Sequence, residues 1–383
     1  RLTADNDVNI LASHESVTTS TQDSFTRDGL TLTFNHNLGN AADAIGDLGS
    51  GDNAVSDASD VMQAMDAMNN IGPSGSAFLG QTTTSNTHQS QSTQARGSSL
   101  NAGEDVTIEA GNNATIAGSQ VNAGRNIRVD ANDIVITTAE NTHTLNDITE
   151  YQQVGATLSG NQSGASLTVG FAQSESDYEQ QQITTTGSAL NAGQDINLNA
   201  RNDLTIEGSA LNAERNIGLD AGNNLTITAG QDHTRSTLDE EHLSAGAGVA
   251  LTASGIGFTA YVAAGENDLD RQNINHQNAS ITAGQNLSIT SGKDTSIAGA
   301  NLHASEVDMD VGGDLTLASL QDTGSVEGRR WDASASITVG MGVSASVNVG
   351  YGETEGSSAW VNQQTSIIGS ESVNIKVGGH TQV

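Results

Sequence analysis

The chain has 383 residues and a formal net charge of −32 at pH 7, from 13 lysines and arginines against 45 aspartates and glutamates. This charge argues against a nucleic-acid partner, because proteins bind phosphates largely through cations, and it argues equally against docking on anionic lipid headgroups. The chain has no cysteine, one proline and 43 glycines, and only 3% of its residues are aromatic, so a compact core of large side chains is not expected.

Residues 1–97 show the least repetition. Residues 1–18 are predicted to form a partial coil of the repeat described below, and residues 19–97 an insert. Within it, NAVSDASDVMQAMDAMNN (Asn53 to Asn70) places Val55, Ala58, Met62 and Met65 on one helical face. We therefore predict one short helix that covers an apolar groove or edge; the alternative is an adaptable, methionine-rich binding face. The opening RLTADNDVNI has no signal-peptide pattern and is expected to continue a longer sequence.

A repeat of 21 residues fills most of the remaining chain, and pairs of it recur about every 90 residues. Its copies are SLNAGEDVTI at Ser99, QVNAGRNIRV at Gln120, ALNAGQDINL at Ala189, ALNAERNIGL at Ala210, SITAGQNLSI at Ser280, NLHASEVDMD at Asn301 and SIIGSESVNI at Ser366. We predict coil pairs at about 98–140, 188–230 and 279–321, a second partial coil at 365–383, and further inserts at about 141–187, 231–278 and 322–364.

Each repeat has the pattern of three short strands joined by turns. In the unit from Ala189, the residues Leu190, Ile196, Leu198, Leu204 and Ile206 alternate with polar neighbours, which is typical of strands, and Gly, Asn and Asp lie between the runs. Three strands and three turns make one triangular coil, which can bury its apolar side only by stacking. The sequence predicts an all-β, three-sided parallel β-solenoid of roughly ten to eighteen coils, about 50–90 Å long at ~4.8 Å per coil.

The three later inserts share a second pattern. Residues 154–172, 242–263 and 332–352 each indicate a β-hairpin of two strands, about eight to ten residues each, around a Gly- or Ser-containing bend. That length and the alternation of apolar with small polar residues also fit strands that cross an outer membrane. The candidate membrane-contact residues are Leu158, Leu167, Val169, Phe171, Val249, Leu251, Ile256, Phe258, Tyr261, Ile337, Val339, Val343, Val347, Val349 and Tyr351. The favoured interpretation is structural, with hairpins packed on the solenoid.

The sequence predicts no catalytic residue, cofactor site or metal site. The densest charge run, Asp239-Glu240-Glu241-His242, lies in an insert, is expected to have no second cluster of its kind beside it, and is interpreted as solvated charge. Asparagines repeated in NAGxN and GNN segments are expected to stack as ladders between coils.

The segment LNAGQDINLNARNDLTIEGSALNAERNIGLDAGNNLTITAG (Leu190 to Gly230) resembles the haemagglutinin repeats of large two-partner-secreted exoproteins. That group includes filamentous haemagglutinin adhesins and contact-dependent growth inhibition effectors. The resemblance implies a right-handed β-helix, secreted to the surface of a Gram-negative bacterium through an outer-membrane transporter. It further implies a segment that contacts the target cell's outer membrane, or a protein in it, and assists toxin translocation. The alternative is an adhesive stalk that binds a host receptor or glycan; a polysaccharide-cleaving enzyme is a weak third hypothesis.

Overall fold

The structure is a computed structural model, and it describes residues 1–34, 75–161, 164–252 and 255–383. These residues form strands joined by turns, so the prediction of an all-β chain is confirmed for them. The helix predicted at 53–70 lies outside the described residues. In the part of the chain that the structure describes, no helix is long and apolar enough to cross a bilayer.

The described strands, in chain order, are β1 (Leu2–Ala4), β2 (Val8–Leu11), β3 (Ser13–Phe34), β4 (Gly75–Arg96), β5 (Ser99–Ala102), β6 (Val106–Ala110), β7 (Asn113–Ala117), β8 (Gln120–Ala123), β9 (Ile127–Ala131), β10 (Asp133–Thr137), β11 (Ala139–Asn161), β12 (Gly164–Thr186), β13 (Ala189–Ala192), β14 (Ile196–Ala200), β15 (Leu204–Glu207), β16 (Ala210–Ala213), β17 (Ile217–Ala221), β18 (Leu225–Thr228), β19 (Gly230–Thr252), β20 (Gly255–Gln277), β21 (Ala279–Ala283), β22 (Asn286–Ser291), β23 (Thr295–Ala298), β24 (Ala300–Val311), β25 (Leu315–Ala318), β26 (Asp322–Val339), β27 (Val343–Trp360), β28 (Ser366–Val377) and β29 (Thr381–Gln382).

The short strands stack in parallel ladders and form a β-solenoid. One ladder runs β5-β8-β13-β16-β21, and a second runs β1-β6-β9-β14-β17-β22; the long strand β24 pairs with both, and β28 pairs with β24, which makes one 13-stranded sheet. The third ladder is the eight-stranded sheet β2-β7-β10-β15-β18-β23-β25-β29. The ladders bring equivalent residues of successive repeats together, for example Leu190 opposite Leu211 and Ile196 opposite Ile217.

The solenoid core consists of the alternating apolar residues of each repeat. Leu190, Ile196, Leu204 and Ile206 are completely buried, and the polar residues between them point outward. The stacked asparagines also form the expected ladder: the Nδ2 of Asn122 donates to Asn101, and the next two coils repeat the contact at 2.9 and 3.0 Å. The alternation of two therefore fixes which side chains form the core.

The remaining strands form a separate antiparallel sheet, here called the hairpin sheet. Its order is β27-β26-β20-β19-β12-β11-β4-β3, so four hairpins lie side by side. Its strands are 18 to 23 residues long, about twice the length predicted for the hairpins. The first hairpin, β3 and β4, occupies the ends of the insert assigned to residues 19–97 and begins at Ser13, within the range assigned to a partial coil. This hairpin was not predicted, because its strands contain mostly Thr, Ser and Gln.

The hairpins decorate the solenoid and add no coils to it. The third ladder has eight levels in the described residues, fewer than the ten to eighteen coils predicted. Seven intervals of ~4.8 Å give a described solenoid roughly 34 Å long. The described number is lower because the described parts of the inserts, counted in the prediction as possible coils, pair in the hairpin sheet and not in the ladders.

Candidate functional site

The predicted membrane-contact residues come together on one side of the hairpin sheet. Residues directly opposite each other on paired strands point to the same side, and sides alternate along a strand. One row runs across six strands of three hairpins and consists of Leu158, Leu167, Val249, Phe258, Val339 and Val343. Parallel rows lie on the same side of the sheet. One row contains Leu251 and Ile256, another Val169 and Ile337, and a third Phe171 and Val347; Val349 and Tyr351 each belong to a further row.

Tyr261 is the exception among the candidates, because it lies on the opposite side of the sheet. We name the shared side, from the row of Leu251 and Ile256 to the row of Val349, the distal apolar face. Sequence analysis predicted each hairpin separately, whereas the structure joins them into one continuous surface.

The distal apolar face carries exposed side chains in the middle of the sheet, as at Val169 (63% exposed), and on the edge strand β27. Leu158, in the middle of the sheet, is only 3% exposed, whereas Phe258 and Val343 are 71% and 72% exposed. Val347 and Val349 are exposed to a similar degree. Contiguous exposed apolar surface of this kind marks an interaction site more often than scattered surface residues do.

The opposite side of the same region is polar and carries small residues. The row next to Leu158 contains Thr157, Thr168, Thr259, Thr338 and Ser344. A further row on that side aligns five glycines of neighbouring strands, namely Gly29, Gly80, Gly155, Gly170 and Gly246. A side chain at Gly155 would place its Cβ 2.5 Å from the Leu79 carbonyl oxygen, so the strands approach too closely there for any larger residue.

An acidic zone follows the distal apolar face on the same side, toward the solenoid. Glu150, Glu175, Glu241 and Glu266 stand directly opposite one another on four adjacent strands, and Trp331 and Tyr351 continue their row. The next two rows on that side add the carboxylates of Asp177, Asp239, Asp268, Glu353, Glu179, Asp270, Glu327 and Glu355. We refer to these three rows as the acidic zone.

The run Asp239 to His242 does have acidic neighbours, contrary to the sequence analysis. The hairpin returns the chain beside it, so that carboxylate oxygens of Asp239, Glu266 and Asp268 all lie within 4.8 Å of one another. Partial burial raises the pKa of Asp268, and the charges of Glu266 and Asp239 raise it further. Only the pairing of β19 with β20 brings these groups together, and no motif in the sequence indicates that pairing.

Comparison with known proteins identifies the repeat. Residues 79–177 and 169–335 match the hemagglutinin repeat family. The chain is 28% identical over 230 residues to the tRNA nuclease CdiA of Yersinia mollaretii, 29% identical over 230 residues to the deoxyribonuclease CdiA of Dickeya dadantii, and 26% identical over 247 residues to the toxin CdiA of Escherichia coli. These matches cover 57–61% of the chain.

The same matches cover only 7–8% of the length of those relatives, so the activities in their names are not thereby activities of this chain. No solved structure matches the chain. The family match spans more than half of the chain and includes two of its four hairpins in whole and a part of each of the other two. The chain therefore belongs to the hemagglutinin repeat family, as the haemagglutinin-repeat region of an exoprotein of the CdiA and filamentous haemagglutinin type.

Proposed function

We propose that this chain is a surface segment of a contact-dependent growth inhibition effector. In this role its distal apolar face contacts the outer membrane of a target cell, or a protein in that membrane, and assists translocation of a toxin. The protein would reach the surface of a Gram-negative bacterium through a two-partner-secretion transporter, with the solenoid as a right-handed, three-sided β-helix. The chain itself would carry no catalytic residue.

One observation carries the proposal: exposed apolar side chains from three hairpins form one surface on the hairpin sheet, away from the solenoid core. A stalk that only spans distance has no need of such a surface, because stacked coils already bury the apolar residues of the repeats. The names of the relatives, which include toxins and nucleases called CdiA, support a role in toxin delivery.

Paired substitutions in the edge strand β27 test the proposal in the intact protein displayed on cells. The double variant Val343→Asp/Val347→Asp places two charges on the distal apolar face. The control Ser344→Asp/Asn348→Asp places the same two charges on the opposite side of the same strand. All four positions are exposed, so the fold should tolerate both variants.

We expect the first variant to attach to target cells normally but to lose toxin delivery, while the control keeps both. Loss of attachment instead would favour the adhesive-stalk alternative. If both variants delivered the toxin as the parent does, the hairpins would be structural and the proposal wrong; an equal loss in both variants would also overturn it, because the side of the strand would then not matter. Surface display is measured in parallel, so that an export defect is recognised.

A further inference from the structure

On the side of β27 that belongs to the distal apolar face, the side chains change from apolar to acidic along the strand. Starting from the turn, Val343, Val347 and Val349 are followed by Tyr351, and then by Glu353 and Glu355. Eight residue steps separate Val343 from Tyr351, or roughly 27 Å along the strand. The apolar part of the hairpin sheet is thus a bounded area, with the acidic zone immediately behind it.

Two large aromatic residues mark the border of that area. Trp331 and Tyr351 are directly opposite each other on β26 and β27, in the first row of the acidic zone. The indole Nε1 of Trp331 donates to Glu266 at 2.9 Å, and 41% of the residue is exposed. Trp and Tyr combine an apolar ring with a polar group, which suits them to the boundary between lipid chains and water.

The other side of the sheet restricts how it could meet a lipid layer. Apart from Phe78 and Tyr261, it carries mainly threonine, serine, glycine and alanine where the distal apolar face carries Val and Phe. In the described residues, β3 and β27 are edge strands, each paired on one side only. Unpaired backbone groups and polar side chains are costly inside hydrocarbon, so an open sheet of this kind fits the surface of a bilayer and not its interior.

We infer that the distal apolar face docks on a lipid surface, with the hairpin sheet lying along the interface as an amphipathic layer. Its valines and Phe258 enter the outer part of the lipid, the threonine side stays in water, and contact ends at Trp331 and Tyr351. The acidic zone stays in water beyond that border, because burying its carboxylates among lipid chains is costly. The inference rests on the proposed function, since it names what the same face meets.

The two native tryptophans allow a direct test of the border. Trp331 lies at it, whereas Trp360 lies at the end of β27 nearest the solenoid. The 383-residue chain is mixed with phosphatidylcholine vesicles whose lipids carry bromine at different depths. With W360F, fluorescence of Trp331 should be quenched by bromine close to the headgroup. With W331F, fluorescence of Trp360 should not change.

Neighbouring substitutions test which side faces the lipid. In a W331F/W360F background, Val347→Trp should be quenched by shallow bromine and shielded from acrylamide in the water. Asn348→Trp, one residue further on the opposite side, should show the reverse. Quenching of both by deep bromine would mean insertion across the bilayer, and no quenching of either would mean no lipid contact; each result overturns the inference.

The outcome separates this inference from the proposed function. If the chain ignores protein-free vesicles while the aspartate variants on cells still abolish delivery, the face binds a membrane protein, and only the lipid inference fails. If the vesicle results are as expected but delivery is unaffected in cells, the lipid inference stands and the proposed function fails.

Discussion

Leu198 shows what a single core residue contributes to the solenoid. It lies opposite Val129 of the preceding coil and Leu219 of the next, and it is 1% exposed. Replacement by alanine removes apolar contacts with both coils and leaves a cavity that the stacked backbone cannot close. We expect Leu198→Ala to lower the free energy of unfolding by about 2–5 kcal/mol, measured by urea denaturation.

The neighbouring residue is the control for that substitution. Asn197 lies on the same strand but is exposed, so Asn197→Ala should change the free energy of unfolding by less than about 0.5 kcal/mol. Equal losses in the two variants would mean that the alternation does not define the core.

At the scale of elements, the same side-chain contact joins each two neighbouring hairpins at the end nearest the solenoid, here called the base of the hairpins. Backbone pairing of β20 with β26 ends at Ile274 and Thr323. Just beyond it, the carboxylate of Asp322, which is 2% exposed, accepts the backbone N–H of His276 at 2.7 Å. Asp232 and Asn141 lie at the same position of the two preceding hairpins and accept the N–H groups of Thr185 and Ala95.

We predict that Asp322→Ala weakens this contact, because it leaves the partly buried N–H of His276 without its acceptor. The free energy of local opening should fall by about 1–3 kcal/mol, which appears as faster amide hydrogen exchange at His276 and its neighbours. Asp322→Asn keeps an acceptor oxygen and should exchange nearly as the parent does. Faster exchange in both variants would show that the charge of Asp322, and not its acceptor oxygen, holds the base.

Sequence patterns could predict the strands that have one buried and one exposed side. They could not predict the strands that are polar on both sides. Leu190, Ile196 and Leu204 alternate with polar residues because one side of each strand is core. Near the solenoid, the hairpin strands carry polar residues on both sides, as in EQQQITTT at Glu179 to Thr186, so no alternation marks their length. The rows that join Leu158 to Phe258 also depend on pairing between hairpins about 90 residues apart, which a single sequence does not encode locally.

At the scale of the whole molecule, the 90-residue period has a geometric explanation. Two coils advance the solenoid by two strand spacings, and one hairpin adds two strands to the hairpin sheet. Both spacings are about 4.8 Å, so each period extends the solenoid and the hairpin sheet by the same distance. The described third ladder and the hairpin sheet accordingly have eight strands each. A hairpin after every coil would overcrowd the sheet, and one after every third coil would leave gaps in it.

The two parts of the molecule should respond to acid in opposite directions. In the solenoid, burial alone would raise the pKa of Asp130, but hydrogen bonds from Arg128 and Asn199 lower it below its usual value. Such a carboxylate adds stability above its unfolded pKa of about 3.9, and this stability is lost as the pH falls through the lower folded value. In the acidic zone, the raised pKa of Asp268 has the opposite effect: protonation, as the pH falls toward the unfolded pKa of about 3.9, relieves repulsion and favours the folded hairpin sheet.

We therefore expect the solenoid to lose stability below about pH 4, whereas the hairpin sheet gains stability from Asp268 only as the pH falls toward that value; Asp130 is one measurable source of the loss. Asp130→Asn should make the free energy of unfolding less dependent on pH below about 4, because the ionised form no longer contributes. Asp220 occupies the same position of the strand two coils away and has no hydrogen-bonding partner among the described residues, so Asp220→Asn is the matched control and should follow the parent curve. Urea denaturation at a series of pH values measures all three curves. If the free energy of unfolding of Asp130→Asn depended on pH as strongly as that of the parent, the ion pair between Arg128 and Asp130 would not contribute to the stability of the solenoid.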